Sequence, residues 1–277
     1  MTPLSEKRLF LFDIDGTIAV GNTLYDGARR LLDYIRSIGG SAYYITNNST
    51  MSNRDYVRKF RECFGLETGE NQFITSGYMT LRHLLKQHSR EKIYVLGTAS
   101  YIAELRANGL DITEEAEEDV SCAVVAYDSE LTYQKLVTAC KLLSTADIPF
   151  YGTNPDLRCP IDFGFIPDCG SICRMITAST DKTPLYLGKP NPEVVALCQT
   201  DSGFTDEQTL VVGDRLYTDI ACGLNAGVDT CVVYTGEATP EEVTRTLYKP
   251  AYAFSDAQAL LDACTASAHA CAPSARG

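Results

Sequence analysis

The chain has 277 residues, enough for one large domain or two smaller ones, and its 45% hydrophobic content is ordinary for a globular protein. Its formal net charge of −12 argues against broad binding to nucleic acid, which needs a basic surface. No stretch approaches the roughly 20 apolar residues of a membrane span, and the apolar run at residues 9–12 is too short for a signal peptide. We therefore expect a cytoplasmic protein with no membrane partner.

The first part of the chain alternates apolar strands with amphipathic helices. Residues 9–14 are almost all apolar, which is typical of a strand buried on both faces of a parallel sheet. A helix is predicted over 27–38, where apolar residues recur on one face, and a second strand over 42–46. A further helix is predicted over 52–64, because Ser52 and Asp55 have the spacing of a capping box.

The middle of the chain has an α/β alternation of its own. Strands are predicted at residues 92–96, 123–126 and 148–151, with helices between and after them. We interpret residues 79–181 as a second α/β domain inserted into the first. The first domain would then comprise residues 1–78 and 182–277.

The C-terminal part repeats the rhythm of the N-terminal part. Strands are predicted at 209–213 and 230–234 with a helix over 219–226 between them, and the last stretch, 265–277, is predicted to be a frayed tail. Alternating strands and helices indicate βαβ units and a parallel sheet, in which ligands bind at the carboxyl ends of the strands.

Four polar residues follow predicted strands. Asp13, Thr46 and Asp214 each close an apolar strand, and Lys189 follows the short apolar run 185–187. We therefore expect these four side chains to lie along one edge of the parallel sheet.

The string Asp13-Ile14-Asp15-Gly16-Thr17 suits carboxylate chemistry. An aspartate placed just past a buried strand can act as a nucleophile towards phosphorus and form an aspartyl-phosphate. A second carboxylate two residues later can give a proton to the leaving group and later take one from water, provided that the chain turns. Gly16 permits that turn. An isolated Asp-x-Asp after a strand would more often be an acidic turn than a catalytic site. The full five-residue string, placed directly after an apolar strand, favours a catalytic site.

Three other strings add weaker signals. Thr46-Asn47-Asn48-Ser49 offers a hydroxyl and successive backbone N–H groups to phosphoryl oxygens, although such residues are also common in loops. Lys189 offers a positive charge, although most loop lysines are simply solvated. Asp214 and Asp219 suit a hard cation such as Mg²⁺, although Asp219 alone could simply favour a helix N-terminus.

These strings, in this order, resemble the motifs of the haloacid dehalogenase-like hydrolases, and the resemblance covers nearly the whole chain. The doubled Asn47-Asn48, the large insert and residues 153–156 (Thr-Asn-Pro-Asp) are similar to one branch of that superfamily. That branch holds the N-acetylglucosamine-6-phosphate phosphatase-like and 4-nitrophenylphosphatase-like enzymes. The resemblance implies an α/β fold: a Rossmann-like parallel-sheet core with an inserted α/β cap of the C2a type.

The resemblance also implies roles for the acidic residues. It makes the chain a Mg²⁺-dependent phosphatase that hydrolyses a small phosphomonoester, such as a sugar phosphate or a nucleotide. Asp13 would be both nucleophile and metal ligand. Asp15 would be the general acid–base and would bind the metal through its carbonyl oxygen. Asp214 would be the other carboxylate ligand, and Asp219 would act on the groups around the metal.

Further roles concern the substrate, expected to be a small phosphorylated metabolite. By resemblance, Thr46, Asn47 and Lys189 would bind the transferring phosphoryl group. Asn154 and Asp156 would contact the substrate or position the cap. Relatives often dimerise through the cap, which leaves a homodimer open.

Other functions are weighed against this one. Dehalogenation is disfavoured, because it needs neither Mg²⁺ nor an acid at Asp15. A phosphomutase shares the first motif and stays open. A phosphate sensor without turnover is the alternative outside the enzymes, and the complete catalytic set argues against it. A phosphorylatable receiver domain would have no cap-sized insert.

Overall fold

The computed structural model describes residues 1–161 and 163–271, with the backbone alone at residues 160 and 268–271. The strands in these ranges are Leu9–Phe12 (β1), Ala19–Val20 (β2), Thr23–Leu24 (β3), Ser41–Thr46 (β4), Phe73–Thr75 (β5), Lys92–Leu96 (β6), Asp111–Thr113 (β7), Val120–Val125 (β8), Phe150–Gly152 (β9), Arg158–Ile161 (β10), Gly164–Pro167 (β11), Leu185–Tyr186 (β12), Thr209–Gly213 (β13), Asp229–Val233 (β14) and Tyr252–Phe254 (β15). The α-helices are Ala28–Ser37 (α1), Asn53–Phe64 (α2), Ser76–Gln87 (α3), Ala99–Ala107 (α4), Tyr133–Thr145 (α5), Cys169–Thr180 (α6), Glu193–Ser202 (α7), Ala221–Asn225 (α8), Pro240–Arg245 (α9) and Ala257–Cys271 (α10). None of these helices has the length and hydrophobicity to cross a bilayer.

The first of two compact units comprises Met1–Ile45, Lys59–Phe73 and the chain from Pro190 onward. A six-stranded sheet runs through it in the order β15-β14-β13-β1-β4-β5. The central strand β1 is parallel to both neighbours, β13 and β4. All four residues of β1 have 0% exposure, so both faces of this strand are covered, as its apolar run predicts.

The second unit comprises Thr46–Arg58 and Ile74–Lys189, and the predicted cap, 79–181, lies inside it. Its five-stranded sheet has the order β12-β9-β8-β6-β7, with parallel pairing throughout. Alternate residues of β6 enter different apolar clusters: Ile93 and Val95 enter one, Tyr94 and Leu96 the other. Because successive strand residues point to opposite faces, this sheet also has a core on each side. The predicted α/β fold with parallel sheets is confirmed.

The strand before Lys189 differs from our prediction. β12 pairs with β9 in the five-stranded sheet, whereas we expected it to lie in the sheet that contains β1. The expectation that Lys189 follows a strand of that first sheet is therefore wrong. A two-residue strand carries no pattern that identifies its partner.

Two C-terminal predictions are also corrected. The helix expected over 219–226 starts earlier, because a π-helical turn at Leu216–Ile220 leads into α8. Helix α10 continues to Cys271, so residues 265–271 are helical and not part of a frayed tail. Residues 272–277 of that predicted tail lie outside the described residues.

Candidate active site

Three aspartates from different parts of the chain come together in the first unit. Carboxylate oxygens of Asp13, Asp214 and Asp219 lie within 4.8 Å of one another. Asp214 is 2% exposed and Asp219 is 0% exposed. Buried carboxylates in such a group repel one another and have lost their hydration, so they need a compensating positive charge.

The end of β1 aims Asp13 into this cluster. The Asp13 N–H donates to Val212 O at 2.9 Å, which extends the pairing with β13 by one residue. The chain then turns tightly, since the N–H groups of Thr17, Ile18 and Ala19 all donate to the carbonyl of Ile14. The turn places the side chain of Thr17 back against the cluster.

Asp214 is held by hydrogen bonds at both of its carboxylate oxygens. Thr17 Oγ1 donates to Asp214 Oδ1 at 3.2 Å, and the Glu237 N–H donates to Oδ2 at 2.7 Å. Two glycines make room for this carboxylate. A Cβ on Gly16, where φ is +95°, would lie 2.7 Å from Oδ2, and one on Gly236 would lie 2.0 Å from it. Any larger residue would have to displace Asp214.

Asp219 is fixed by the turn that precedes α8. Its Oδ2 accepts a hydrogen bond from the Arg215 N–H at 3.0 Å, within the Leu216–Ile220 segment and its N-cap. A Cβ on Gly213 would lie 2.2 Å from the Asp219 Cβ, so the end of β13 and this carboxylate are in close contact. The Arg215 side chain forms an ion pair with Glu237 at 3.3 Å.

The negative charge of the cluster affects a neighbouring tyrosine. Burial raises the pKa of Tyr25, and the negative charges of Asp214 and Asp15 raise it further. The Tyr25 hydroxyl donates to Thr235 O at 3.1 Å, and Thr235 Oγ1 donates to Gly16 O at 2.6 Å. These bonds connect the turn after β1 to the segment that holds Asp214.

Divalent cations fit this donor set. Mg²⁺ prefers oxygen ligands and is commonly held by one or two carboxylates together with substrate and water. Three converging carboxylates, two of them almost fully buried, supply the oxygen ligands and the negative charge that suit such an ion.

Asp15 lies beside the cluster but is not one of its three carboxylates. It is partly buried and forms an isolated bridge with Ala19 at the start of β2. Its backbone therefore belongs to the same turn as Thr17, two residues after Asp13.

The predicted phosphate-binding residues lie in the second unit. Thr46 is the last residue of β4, and its Oγ1 accepts from the Asn48 N–H at 3.1 Å. Asn47 and Lys189 are bonded to each other: Asn47 Nδ2 donates to Lys189 O at 3.1 Å, and the Lys189 N–H donates to Asn47 Oδ1 at 2.9 Å. All three residues are buried.

Asn154 and Asp156 form a buried polar group with Asp168. Asn154 Nδ2 lies 3.4 Å from Asp156 Oδ2 and 3.1 Å from Asp168 Oδ1, and Asn154 is 0% exposed. Asp168 also caps α6, since its Oδ1 accepts from the Cys169 N–H at 2.6 Å. These contacts hold the segment between Asn154 and the start of α6 together internally.

Sequence reasoning missed several residues around Asp214. Thr17 stands inside the first motif, but we gave it no role. Thr235, Gly236 and Glu237 follow β14 and contact the turn or the carboxylate. The parallel placement of β14 beside β13 could have suggested this loop, since its end falls on the same edge of the sheet.

Family models match both parts of the chain. Residues 10–111 match a family described as haloacid dehalogenase-like hydrolase, and residues 186–260 match one described as HAD-hydrolase-like. These ranges include the acidic cluster and the loop at residues 46–49.

Known proteins similar to this chain are named phosphatases. The acid sugar phosphatase of Staphylococcus aureus is 32% identical over 253 residues, which is 91% of this chain and 96% of that protein. The solved structure of the 4-nitrophenylphosphatase from Thermotoga maritima is 38% identical with a TM-score of 0.87, covering 94% of this chain and 98% of that one. The glycerol phosphate phosphatase from Mycobacterium tuberculosis, solved in complex with magnesium, is 25% identical with a TM-score of 0.85, covering 94% of this chain and 79% of that one. The predicted resemblance to 4-nitrophenylphosphatase-like enzymes is confirmed.

Proposed function

Since this chain belongs to the haloacid dehalogenase-like hydrolases and is a phosphatase, we propose that it hydrolyses a small phosphomonoester with the help of Mg²⁺ through an aspartyl-phosphate. The observation that carries the proposal is the convergence of Asp13, Asp214 and Asp219 at the carboxyl edge of a parallel sheet. The relatives are named as an acid sugar phosphatase, a 4-nitrophenylphosphatase and a glycerol phosphate phosphatase, which supports a small phosphorylated metabolite as the substrate class.

The first half of the reaction transfers the phosphoryl group to the protein. The Asp13 carboxylate attacks phosphorus, an Asp13–phosphorus bond forms, and the bond to the substrate oxygen breaks. Asp15, protonated at this stage, gives its proton to the departing alkoxide, so that an alcohol leaves.

The second half returns the protein to its starting state. The Asp15 carboxylate takes a proton from a water molecule, and the resulting hydroxide attacks the aspartyl-phosphate. Inorganic phosphate leaves, the Asp13 carboxylate is restored, and Asp15 again holds the proton needed for the next substrate.

Asp13, Asp214 and the carbonyl oxygen of Asp15 are proposed to hold Mg²⁺, with Asp219 supporting them. A bound Mg²⁺ would neutralise charge on the phosphoryl oxygens in the transition state. Thr46, Lys189 and the Asn47 segment are proposed to bind the same oxygens, on the strength of the family resemblance. A fixed lysine contributes a point charge where negative charge develops.

The nucleophile assignment is tested with Asp13→Asn. We expect phosphate release from 4-nitrophenyl phosphate to fall to background, because an amide cannot serve as the attacking carboxylate, while circular dichroism shows an intact fold. Asp33→Asn is the matched control and should keep wild-type turnover, since Asp33 is an exposed residue of α1 that pairs with Arg36. Normal turnover by Asp13→Asn would refute the mechanism.

The metal is tested in the same assay. Activity is expected to disappear in EDTA and to return with added Mg²⁺; full activity in EDTA would contradict a metal-dependent reaction.

A phosphomutase would instead transfer the phosphoryl group to a second position of the substrate, so phosphate release and substrate isomerisation are followed together.

A further inference from the structure

Asn47 is bound to the main chain of Lys189 through both ends of its amide. The amide nitrogen donates to the Lys189 carbonyl at 3.1 Å, and the amide oxygen accepts from the Lys189 N–H at 2.9 Å. Asn47 is 5% exposed and Lys189 is 3% exposed, so water does not compete readily for either bond. Two bonds in opposite directions fix the orientation of the lysine backbone as well as its position.

Gly188 makes room for this pairing. A Cβ on Gly188 would lie 2.6 Å from Asn47 Oδ1 and 2.7 Å from Thr153 O, closer than Cβ atoms come to such neighbours. The Gly188 N–H also donates to Thr153 O at 2.8 Å. The glycine before the lysine is therefore required by its close contacts with both Asn47 and Thr153.

The segment around Asn47 is itself held in place. Ser76 Oγ donates to the Asn47 carbonyl at 2.7 Å, and Ser49 Oγ lies 3.2 Å from Thr153 Oγ1. Thr153 thus contacts both sides of the pairing: its carbonyl binds Gly188, and its hydroxyl lies against Ser49. Ser49, Thr153 and Ser76 are at most 1% exposed.

We propose that Asn47 is a positioning residue: its side chain holds the backbone that carries Lys189, and it does not bind the substrate phosphate. The proposal rests on the proposed function, because Lys189 has this task only if the protein transfers phosphate. Phosphate binding at position 47 is then left to the backbone N–H. Without the Asn47 amide, the backbone of Lys189 would be free to shift and its ammonium group would be displaced. A displacement of this kind typically lowers the rate about 10–100-fold.

A double-mutant cycle tests this with 4-nitrophenyl phosphate as substrate. Asn47→Ala and Lys189→Ala should each lower kcat/KM, and the double variant should be no slower than Lys189→Ala alone, because Asn47 acts through the lysine. If the two losses multiply, Asn47 acts on the phosphate by itself and the proposal is wrong. The inhibition constant of inorganic phosphate should follow the same pattern.

Asn48→Ala is the matched control in this cycle. Asn48 is the same residue type in the same loop, but its side chain accepts from the N–H and hydroxyl of Thr50 at 2.9 and 2.7 Å. The fold loss in kcat/KM caused by Asn48→Ala alone should multiply with the loss caused by Lys189→Ala when the two are combined. Non-additivity with Asn48 as well would mean a general loss of loop structure and would overturn a specific role for Asn47.

Gly188→Ala approaches the pairing from the other side and keeps both functional side chains. The added Cβ would press on Asn47 Oδ1 and on Thr153 O. We therefore expect Gly188→Ala to lower kcat/KM and to add nothing to the loss caused by Lys189→Ala, with folding checked by thermal unfolding. Wild-type kinetics for Gly188→Ala would overturn the inference. If Lys189→Ala itself behaves as wild type, the phosphate role of Lys189 in the proposed function fails as well, whereas a slow Lys189→Ala with a fast Asn47→Ala refutes only this inference.

Discussion

At the scale of single residues, the acidic cluster depends on the small neighbours that surround it. Gly16 and Gly236 both lie so close to Asp214 that a methyl group would overlap its carboxylate. Thr17 and the Glu237 N–H bind the two oxygens of that carboxylate. The orientation of the Asp214 carboxylate, a proposed metal ligand, is therefore set by uncharged groups: a hydroxyl, a backbone N–H and two glycines.

Gly236→Ala is expected to weaken Mg²⁺ binding by about 10–100-fold, the usual effect of disturbing the groups that orient a metal ligand. The added methyl group would sit 2.0 Å from Asp214 Oδ2, and the carboxylate must move. Isothermal titration of Mg²⁺ measures the affinity directly. Gly203→Ala, where a Cβ meets nothing within 4 Å, should lower stability slightly and leave Mg²⁺ affinity as it is; equal losses in the two variants would contradict the argument.

Asp15→Asn is expected to slow phosphoryl transfer most for substrates whose leaving group is most basic. An amide cannot supply the proton, so alkyl phosphates should lose activity by about 10²–10⁴-fold, while 4-nitrophenyl phosphate, whose leaving group needs less protonation, should lose less in its first step. Burst kinetics separate that step from hydrolysis of the aspartyl-phosphate. A uniform loss in the first step across leaving groups would remove Asp15 from the acid role.

At the scale of elements, the sequence predicted the strands that carry the site better than their surroundings. β1, β4 and β13 were predicted within two residues of their ends, because each is a short apolar run bounded by polar residues. The small hairpins β2–β3 and β10–β11 were missed, since their residues are largely exposed and show no apolar pattern. Our prediction of the sheet to which β12 belongs was wrong, because pairing between strands that are far apart in the sequence leaves no local pattern.

The hydrogen bonds between the Asn47 side chain and the Lys189 backbone could not be predicted from the sequence either. Both residues were predicted to bind phosphate on the basis of family resemblance, and nothing in their spacing indicates that the side chain of one binds the backbone of the other. Hydrogen bonds between residues far apart in the chain depend on the final packing. The predicted convergence of Asp13 with Asp214, by contrast, followed from sheet topology alone.

The capping box of α2 offers a test of element stability. Ser52 Oγ accepts from the Asp55 N–H at 3.1 Å, and Asp55 Oδ2 lies 3.4 Å from the Ser52 N–H, as the spacing predicted. Ser52→Ala should lower the free energy of unfolding by about 1 kcal/mol, measured by urea denaturation. Ser179→Ala, whose hydroxyl bonds back to Met175 O within α6, should change it by less than about 0.5 kcal/mol. A larger effect at Ser179 than at Ser52 would contradict the capping argument.

At the scale of the whole molecule, the first unit contains a buried ion pair at the end of the sheet opposite to the acidic cluster. Lys7 has 0% side-chain exposure, and its Nζ donates to Asp229 Oδ2 at 2.8 Å and to the carbonyls of Glu207 and Thr209 at 2.7 and 2.9 Å. The Thr2 N–H donates to the same carboxylate at 2.8 Å. The pair therefore joins the N-terminal segment, the start of β13 and the start of β14.

Asp229→Asn is expected to cost about 3–5 kcal/mol at neutral pH, because it leaves the Lys7 charge buried without its partner. Burial alone would raise the pKa of Asp229, but the bonds from Lys7 and the Thr2 N–H outweigh it and hold the pKa below 3.8. Such a carboxylate stabilises the fold above its unfolded pKa and loses that contribution as the pH falls through its folded pKa.

Urea denaturation of both proteins between pH 7 and pH 2.5 measures this. The gap in unfolding free energy between wild type and Asp229→Asn should be constant near neutrality and shrink below about pH 4. A gap that stays constant down to pH 2.5 would mean that the pKa of Asp229 is not involved.

The position of β1 has a consequence for how the protein is made. Leu9 at the start of this strand pairs with Ser41 on one side and with Thr209 on the other. During synthesis the first partner emerges from the ribosome soon after β1, but the second emerges only after the entire second unit has been translated. Until then the most apolar strand of the sheet has an unpaired edge, which is a site for aggregation. We expect the yield of native protein to depend on translation speed and on chaperones that shield this edge while the five-stranded sheet folds.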